Sequence, residues 1–366
     1  MAGSLAEPSD APVRRAPPVR RGGAARVRQH GAVRAISLPP VAYGSTAVRP
    51  GWADLPAGLR NALAARLGGP PAAVRVAAGG FTSGFAAVLT GPDGERVFVK
   101  AAALHGQRHL VDWYAHEAAI LARLPAGLPV PRPRWALTES GWYALALDAI
   151  DGHTPALPWA PAELDAALAT YAEVAAALAD PPAQLAALPL PRLADLARDD
   201  ILWWGEVAAG REPLPEQAAG APLAELVALE SRLPGYADAA PGLAHGDLRV
   251  DNLLIDSGGR AWLCDWPWLC HGPAWFDLAG LLLTAYASGL DADAAFAGHP
   301  AVAGAPADAL DVTLAALAGY YLTGAAAEPS TASPHLRAHQ RWSGEQALSW
   351  LAERRGWSWP HPAGSP

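Results

Sequence analysis

The pattern of apolar residues changes near residue 150, and this change limits the possible folds more than any other feature. Residues 52–67 have leucines at four-residue steps, which is typical of a helix. Residues 74–101 read as three short strands joined by glycine-bearing turns. A helix is predicted at 109–124 and a hairpin at 135–150. The first part of the chain is therefore expected to form a small antiparallel sheet with helices.

After Gly152 the sequence becomes rich in alanine and leucine, and helices are expected to dominate. One predicted hairpin at 253–264 interrupts them. The helices are predicted at 161–180, 193–209, 222–234, 275–289, 307–323 and 334–355. The expected fold class is α+β with two lobes, a small lobe over residues 49–150 and a larger, mainly helical lobe over residues 151–360.

The first 48 residues differ from the rest in composition and charge. Residues 1–50 hold eight arginines against Glu7 and Asp10, a net charge of +6. The region lacks hydrophobic periodicity and is rich in proline and glycine, so we predict a disordered basic arm over residues 1–48. Because the whole chain has a net charge of −8, residues 51–366 carry −14. Such an acidic body disfavours nucleic acid as a partner and tolerates a cationic ligand.

Several classes of protein are excluded or disfavoured by what the sequence lacks. No run of 18 apolar residues free of charge or proline is present, so no membrane span is expected. The two cysteines, Cys264 and Cys270, are too few for a disulfide framework and suit a reducing cytoplasm. They also lack the partners of a zinc site. No GK[ST] phosphate loop, zinc-protease motif or GxSxG motif is present.

The stretch AHGDLRVDN, residues 244–252, crowds polar side chains immediately before an apolar strand. Pairing Asp256 with Arg260 around a Ser-Gly-Gly turn places Asn252 opposite Cys264 in the predicted hairpin. Directly opposite residues in antiparallel strands have Cα atoms roughly 4.5–5.5 Å apart. Asn252 and Asp265 are therefore expected side by side at the open end of the hairpin.

An amide oxygen and a carboxylate so placed can bind Mg²⁺, which favours few protein ligands together with phosphate oxygens. Asp247 lies in the loop that leads to the same end of the hairpin. A metal that holds phosphates, beside a carboxylate that accepts a hydroxyl proton, is the arrangement needed for phosphoryl transfer. The simpler alternative is a solvated turn with capping Asp and Asn side chains. The spacing, the apolar strand and the second aspartate together favour the catalytic interpretation.

Lys100 is the only lysine in the chain, whereas arginine occurs 26 times. It lies on the third predicted strand, where kinases carry the lysine that contacts the α- and β-phosphates. Glu117, in the following helix, is the expected ion-pair partner, and Asp112 is the competing candidate. The alternative interpretation is that this one lysine remains in the sequence by chance and has no functional role.

The turn GGFTSG, residues 79–84, is the candidate phosphate loop. Its backbone N–H groups and the Ser83 hydroxyl can meet phosphate oxygens if Gly84 and its fellow glycines allow a close approach. The turn does not match GxGxxG, and an ordinary hairpin turn would have the same composition.

These motifs resemble the aminoglycoside phosphotransferase family of the protein-kinase-like superfamily. The resemblance rests on His245-Gly246-Asp247, on Asn252 five residues after that aspartate, and on the second aspartate, Asp265. It implies a bilobal protein-kinase-like fold, ATP and Mg²⁺ as cofactors, Asp247 as catalytic base, and Asn252 and Asp265 as Mg²⁺ ligands.

The resemblance also implies where the adenine and the acceptor bind. Adenine is expected at the connector, bonded to backbone groups of Asp148 and Ile150. Asp277, helped by His245, is expected to brace the catalytic loop rather than to react. The acceptor would be a hydroxyl-bearing small molecule, and amines are conceivable ligands for the acidic residues of the predicted helix at 193–209, namely Asp195, Asp199, Asp200 and Glu206. A solvated helix face explains those acidic residues equally well.

Two functions are therefore compared. The first is a cytoplasmic ATP- and Mg²⁺-dependent kinase that phosphorylates a small-molecule hydroxyl. The second is a nucleotide-binding pseudokinase that acts as a regulatory module. The joint presence of Lys100, Asp247, Asn252 and Asp265 favours the enzyme, because decayed kinases usually lose one of these groups.

Overall fold

The computed structural model describes residues 35–328 and 333–358. Its first sheet has five antiparallel strands in the order β1-β2-β3-β5-β4. Helix α1 precedes this sheet in the chain, and helix α2 connects β3 to β4. These elements are β1 Ala73–Val76, β2 Phe85–Thr90, β3 Arg96–Ala103, β4 Pro133–Glu139, β5 Trp142–Asp148, α1 Ala57–Arg66 and α2 Arg108–Leu121. The predicted small lobe is confirmed, with its antiparallel sheet and helices.

The two faces of this sheet are buried by different elements. Leu59 and Leu63 of α1 are fully buried in a cluster with Val99 of β3. On α2, Leu110 and Ile120 belong to the larger core cluster that continues into the helical lobe. The sheet is therefore covered on one side by α1, while α2 links it to the rest of the protein.

The remainder of the chain is mainly helical, as predicted, with short strands at the lobe boundary. Helices α9 and α11 are buried along almost their whole length and form the centre of this lobe. The helices are α3 Pro161–Leu178, α4 Ala183–Ala186, α5 Leu193–Leu196, α6 Trp204–Ala208, α7 Leu223–Glu230, α8 Leu233–Ala239, α9 Ala274–Ala287, α10 Ala292–Gly298, α11 Ala309–Ala326 and α12 Leu336–Arg355. The short strands are β6 Gly152–His153, β7 Leu243–Ala244, β8 Leu253–Asp256, β9 Ala261–Leu263 and β10 Cys270–His271.

The prediction of one continuous helix at 193–209 is wrong. The chain forms α5, a π-helical turn at Ala197–Ile201, and then α6. The carboxylate of Glu230 accepts hydrogen bonds from the backbone N–H groups of Trp203 (3.1 Å) and Gly205 (2.7 Å). This remote carboxylate caps the first turn of α6 and starts a new helix where the apolar pattern gave no break.

Helix α11 is long and apolar enough to span a membrane, but 72% of that window is buried inside the protein. It packs against α12, α7 and α9 as the central helix of the larger lobe. Its hydrophobicity is thus explained by the core it occupies.

The predicted arm over residues 1–48 requires a correction. Residues 1–34 lie outside the described part of the chain, but residues 35–48 have a defined course against the larger lobe. Val41, Tyr43 and Thr46 are buried, and the Ser37 N–H donates to Ala287 O (2.9 Å). A segment this short makes single contacts through isolated apolar residues, so it has no periodicity that a sequence pattern could detect.

Candidate active site

Strand β3 and helix α2 bring Lys100 and Glu117 together, and Asp265 joins them from the larger lobe. The Lys100 ammonium lies 2.9 and 2.8 Å from the two Glu117 carboxylate oxygens and 2.7 Å from Asp265 Oδ1. We call these three residues the lysine cluster. The predicted partner Glu117 is in place, whereas the competing Asp112 is exposed and pairs with Arg108 at 2.9 Å.

The backbone around Asp265 aims its carboxylate at the lysine. Asp265 has φ +66°, in the left-handed region that Asp and Asn tolerate better than most residues. The next N–H group, of Trp266, faces Glu117 Oε1 at 3.4 Å. One loop thus contacts both partners of the cluster.

The two carboxylates of the lysine cluster have pKa shifts in opposite directions. Burial raises the pKa of Glu117 although Lys100 opposes it. Burial also disfavours the charged form of Asp265, but the Lys100 charge and hydrogen bond outweigh it and lower the Asp265 pKa. The two carboxylates in turn raise the pKa of Lys100 above its usual value against the effect of burial. Lys100 therefore remains a cation, and the half-exposed Asp265 an anion.

The second group of charges lies in the catalytic-loop candidate. Asn252 Nδ2 donates to Asp247 O (2.8 Å) and Asp247 Oδ2 (3.1 Å). Arg249 Nη1 donates to Asp247 Oδ1 (2.9 Å) and its other nitrogens bind both oxygens of Asp251 (3.0 and 2.9 Å). We call Asp247, Arg249 and Asp251 the arginine cluster. Both oxygens of Asp247 are held, so the carboxylate has a fixed orientation.

The sequence pattern does not single out Arg249 and Asp251. Both stand in the quoted motif, yet nothing in their spacing distinguishes a buried bidentate pair from two solvated charges. The structure leaves only 2% of the Asp251 side chain exposed and places the Arg249 guanidinium 5.4 Å from the Phe81 ring centre. Their signal was the density of charge next to an apolar strand in a chain with few charges.

The pKa of Asp247 is shifted towards the range in which a general base works. Burial raises it to about 7, the Arg249 charge lowers it, and Asp251 and Asp265 add to the rise. A base is most effective when its pKa lies near the working pH. Asp247 is therefore suited to accept a proton near neutrality.

Asp277 and His245 support the loop from behind, as predicted. The Asp277 carboxylate accepts from the N–H groups of His245 (2.6 Å) and Gly246 (2.9 Å) and from the Tyr171 hydroxyl (3.0 Å). His245 Nε2 lies 3.1 Å from Cys264 O, and burial lowers the His245 pKa to about 4, so the ring is neutral and donates this bond. These contacts fix the peptide immediately before Asp247.

The hairpin after the loop has the predicted register. Leu253 pairs with Leu263 and Leu254 with Trp262, and the Cys264 N–H donates to Asn252 O at 2.9 Å. Asn252 and the residue before Asp265 are therefore direct neighbours at the open end of the hairpin. The metal-ligand candidates come together as expected from the pairing.

The glycine-rich loop between β1 and β2 lies over the site. Gln107 Nε2 approaches Ser83 Oγ at 3.5 Å. A Cβ atom at Gly84 would lie 2.5 Å from the Tyr114 hydroxyl, so only glycine fits there. Unexpectedly, the loop is held by Arg49, which donates to Gly79 O (3.1 Å) and Gly84 O (2.8 Å).

Comparison with known proteins agrees with this geometry. Residues 74–310 match the family model described as the phosphotransferase enzyme family, APH. The chain belongs to this phosphotransferase family. No curated protein matches the sequence.

Solved structures with the same fold are phosphotransferases at low sequence identity. The GDP complex of aminoglycoside 2'-phosphotransferase-IIIa has a TM-score of 0.57 at 16% identity, covering 82% of this chain and all of that one. The GDP and kanamycin complex of APH(2")-IIia has a TM-score of 0.54 at 16% identity, with 79% and 95% covered. A thermostable APH(4)-Ia mutant with AMP-PNP and hygromycin B has 0.52 at 14%, with 84% and 99% covered. These likenesses establish the protein-kinase-like fold.

The connector of this phosphotransferase follows β5. The Asp148 N–H donates to Arg132 O (2.9 Å), and Asp148 Oδ2 accepts from Arg132 N–H (3.0 Å). Arg132 thus fixes the strand end that leads to Ile150. Both residues lie at the boundary between the lobes, where the adenine was expected.

The acidic residues predicted to face an acceptor are not gathered into one phosphotransferase subsite. Asp195 pairs with Arg198 (2.8 Å) and Glu206 with Arg211 (2.5 Å), and all four side chains are exposed. Asp199 and Asp200 are exposed on the π-helical turn. The charge of Asp200 does reach Tyr320, whose pKa is raised by burial, by Asp247 and by Asp200.

The residues at the end of the phosphotransferase hairpin fit a hard cation. Asp265 supplies a carboxylate whose side chain is 40% exposed, and Asn252, whose Nδ2 is engaged by Asp247, supplies an amide oxygen. Within residues 35–328 and 333–358, no group of three His, Cys, Asp or Glu side chains is arranged to hold a metal. Two oxygen ligands suit Mg²⁺, which takes its remaining ligands from water and phosphate.

Proposed function

We propose that this protein is an ATP- and Mg²⁺-dependent kinase that transfers the γ-phosphate to a hydroxyl of a small molecule, and that it acts in the cytoplasm. The family assignment already makes it a small-molecule phosphotransferase. The observation that carries the finer proposal is the position of Lys100, whose ammonium lies between Glu117 and Asp265. The Lys100 nitrogen thus connects the lobe expected to bind the nucleotide with Asp265, the metal-ligand candidate.

Each side chain then has a role that its contacts support. Lys100, aimed by Glu117, would bind the α- and β-phosphates. Asn252 and Asp265 would hold Mg²⁺, which neutralises charge on the phosphate oxygens. Ser83 and Gly84 would face the phosphates from above.

Adenine recognition would fall to the connector. The backbone groups of Asp148 and Ile150 follow a strand end that Arg132 fixes by two hydrogen bonds. A rigid edge of this kind can present a carbonyl and an N–H group to a planar base without being ordered on binding.

The transfer step assigns the proton to Asp247. The acceptor oxygen forms a bond to the γ-phosphorus while the bond between that phosphorus and the β,γ-bridging oxygen breaks, so ADP leaves. The hydroxyl proton goes to an oxygen of Asp247, which Asn252 and Arg249 hold in place. The raised pKa of Asp247, about 7, favours this acceptance.

A hydroxyl-bearing cation is the acceptor class that we propose, an aminoglycoside-like molecule or another amine or sugar alcohol. Residues 51–366 carry a net charge of −14, which attracts cations. Structures with the same fold include complexes named for kanamycin and hygromycin B.

The direct test is ADP release from ATP across a panel of kanamycin, hygromycin B, streptomycin and simpler amino alcohols, with and without Mg²⁺. We expect Mg²⁺-dependent turnover with at least one amine-bearing acceptor and a phosphomonoester product by phosphorus NMR. Binding of Mg·AMP-PNP without turnover on any acceptor would favour the pseudokinase instead. Failure to bind Mg·AMP-PNP would contradict both.

A further inference from the structure

The glycine-rich loop is held by a chain segment that the phosphotransfer roles do not use. Residues 43–49, which we call the strap, run alongside residues 78–84. The Ala47 N–H donates to Ala78 O (2.8 Å). Thr46 Oγ1 donates to Gly80 O (3.1 Å) and accepts from the Gly80 N–H (3.0 Å). The strap therefore fixes one end of the loop by backbone pairing and its turn by a hydroxyl.

Arg49 spans the whole loop from the end of the strap. Its Nη1 donates to Gly84 O (2.8 Å) and to Thr82 Oγ1 (3.1 Å), and its Nη2 donates to Gly79 O (3.1 Å). The planar guanidinium presents these donors in a rigid fork, so it sets the distance between the two ends of the loop.

Close packing shows that the strap and the loop are fitted to each other. A Cβ atom at Gly79 would lie 2.7 Å from Tyr43 O, and one at Gly80 would lie 2.7 Å from Arg49 Nη2. Gly80 also has φ +98°, which L side chains rarely adopt. These two glycines are therefore needed for contact with the strap.

The other end of the strap reaches the larger lobe. The Tyr43 hydroxyl lies 2.9 Å from His339 Nδ1 on α12, and Ser333 Oγ donates to Thr46 O (2.8 Å). Phe81, at the tip of the loop, stacks on the same His339 ring with centroids 4.8 Å apart. The loop is thus anchored to the lobe that carries Asp247.

We infer that Arg49 is a positioning residue for the nucleotide triphosphate, acting through the glycine-rich loop. The inference rests on the proposed function. Ordering a flexible backbone on binding lowers the affinity, because the backbone loses conformational freedom. Because Arg49 orders the loop before any ligand arrives, that cost falls on folding instead of on nucleotide binding. Without Arg49 the loop must be ordered by the phosphates themselves.

The test compares two ligands in the full-length chain by calorimetry, Mg·AMP-PNP and adenosine. Arg49→Met keeps the length and the apolar packing but removes every donor. We expect Mg·AMP-PNP affinity to fall about tenfold or more, since one or two loop residues then have to be ordered on binding. Adenosine affinity should change little, because adenosine lacks the phosphates. The matched control is Arg75→Met, an exposed arginine on β1 of the same sheet, which should leave both affinities unchanged.

The ratio of the Mg·AMP-PNP affinity to the adenosine affinity distinguishes a positioning role of Arg49 from a general loosening of the nucleotide site. If Arg49→Met weakens adenosine and Mg·AMP-PNP equally, or neither, Arg49 has no positioning role and the inference is wrong. If that variant does not fold, Arg49→Lys is measured instead. It keeps the charge but cannot donate to Gly79 O, Thr82 Oγ1 and Gly84 O from one planar fork, and an unchanged ratio there has the same consequence. A wild-type chain that does not bind Mg·AMP-PNP contradicts the proposed function itself, which is a different result.

Discussion

The lysine cluster and the arginine cluster have the same composition, one cation between two carboxylates, but they are assembled differently. In the lysine cluster, Lys100 and Asp265 are 165 positions apart in the chain. The arginine cluster lies within five consecutive residues of the loop that carries Asp247. In both, burial raises the pKa of one carboxylate, and the cation lowers the pKa of the other against burial.

The difference indicates which properties depend on the relative position of the lobes. Hydrogen bonds within residues 247–252 orient Asp247, and the small lobe contributes only the packing of Phe81 on Arg249. The lysine cluster exists only while β3, α2 and the Asp265 loop are together. We therefore expect proton acceptance to be a local property and nucleotide binding to be a property of the assembled lobes.

The largest effect is expected for a substitution in the arginine cluster. Asp247→Asn keeps the shape and most hydrogen bonds but cannot accept a proton. The turnover number kcat should fall about 10²–10⁴-fold, the usual contribution of a general base. Mg·AMP-PNP affinity should stay within a few-fold of wild type. Steady-state kinetics with calorimetry measures both, and Asp251→Asn is the control within the same cluster. Lost nucleotide binding in Asp247→Asn would assign that aspartate to the nucleotide side.

A substitution in the lysine cluster should affect nucleotide affinity rather than proton acceptance. Asp265→Asn removes the charge of the proposed metal ligand, while asparagine still tolerates φ +66°. Mg·AMP-PNP affinity should fall roughly 10- to 100-fold, as expected for losing one charged contact of about 1.4–3 kcal/mol. Affinity measured without Mg²⁺ should change much less. An equal loss with and without Mg²⁺ would remove Asp265 from the metal site.

A smaller effect is expected when the cation of the lysine cluster is exchanged. Lys100→Arg keeps the charge, but each guanidinium nitrogen has at most two N–H groups, so none can bind all three carboxylate oxygens that the ammonium contacts at 2.7–2.9 Å. We expect ATP to be bound about tenfold more weakly, for the loss of roughly one well-placed contact, with the melting temperature nearly unchanged. Arg96→Lys, on the same strand, is the reciprocal control. Wild-type turnover in Lys100→Arg would separate Lys100 from the nucleotide.

A separate effect, on stability rather than on activity, concerns acid beside the arginine cluster. Burial lowers the pKa of His339 to about 3, below the 6.5 of an unfolded histidine. The unfolded chain therefore takes up the proton first, and the stability that His339 contributes is complete above about pH 6.5 and is lost as the pH falls towards 3. His339→Gln should flatten the fall of the unfolding free energy between pH 6.5 and 4. Denaturant titrations at several pH values measure this slope, and an unchanged slope would contradict the buried neutral state.

The contrast between the clusters also explains what the sequence could predict. The hairpin register, and with it the neighbourhood of Asn252 and Asp265, followed from strand pairing alone. The Lys100–Glu117 pair was predicted because the strand and helix that carry them were recognisable and because kinases carry a phosphate-binding lysine on that strand. Long-range contacts made within predicted elements were therefore accessible.

Contacts made outside regular elements were not. Arg49 was counted only among the eight arginines of residues 1–50, because a single side chain that binds three loop groups leaves no periodic signal. The break before α6 depends on Glu230, a carboxylate 25 residues away from Gly205. Arg249 stood within the motif, but its burial became evident only when Phe81 was found packed against it.

The single lysine has a practical consequence for measurement. Amine-directed reagents have one side-chain target in 366 residues, besides the terminal amine. That target is only 12% exposed and is held as an ammonium by two carboxylates, so its acylation should be slow while the lobes remain assembled. On the intact chain, a mass addition beyond the one at the terminal amine would then report how often the two lobes separate, with no engineered label and no change to the sequence.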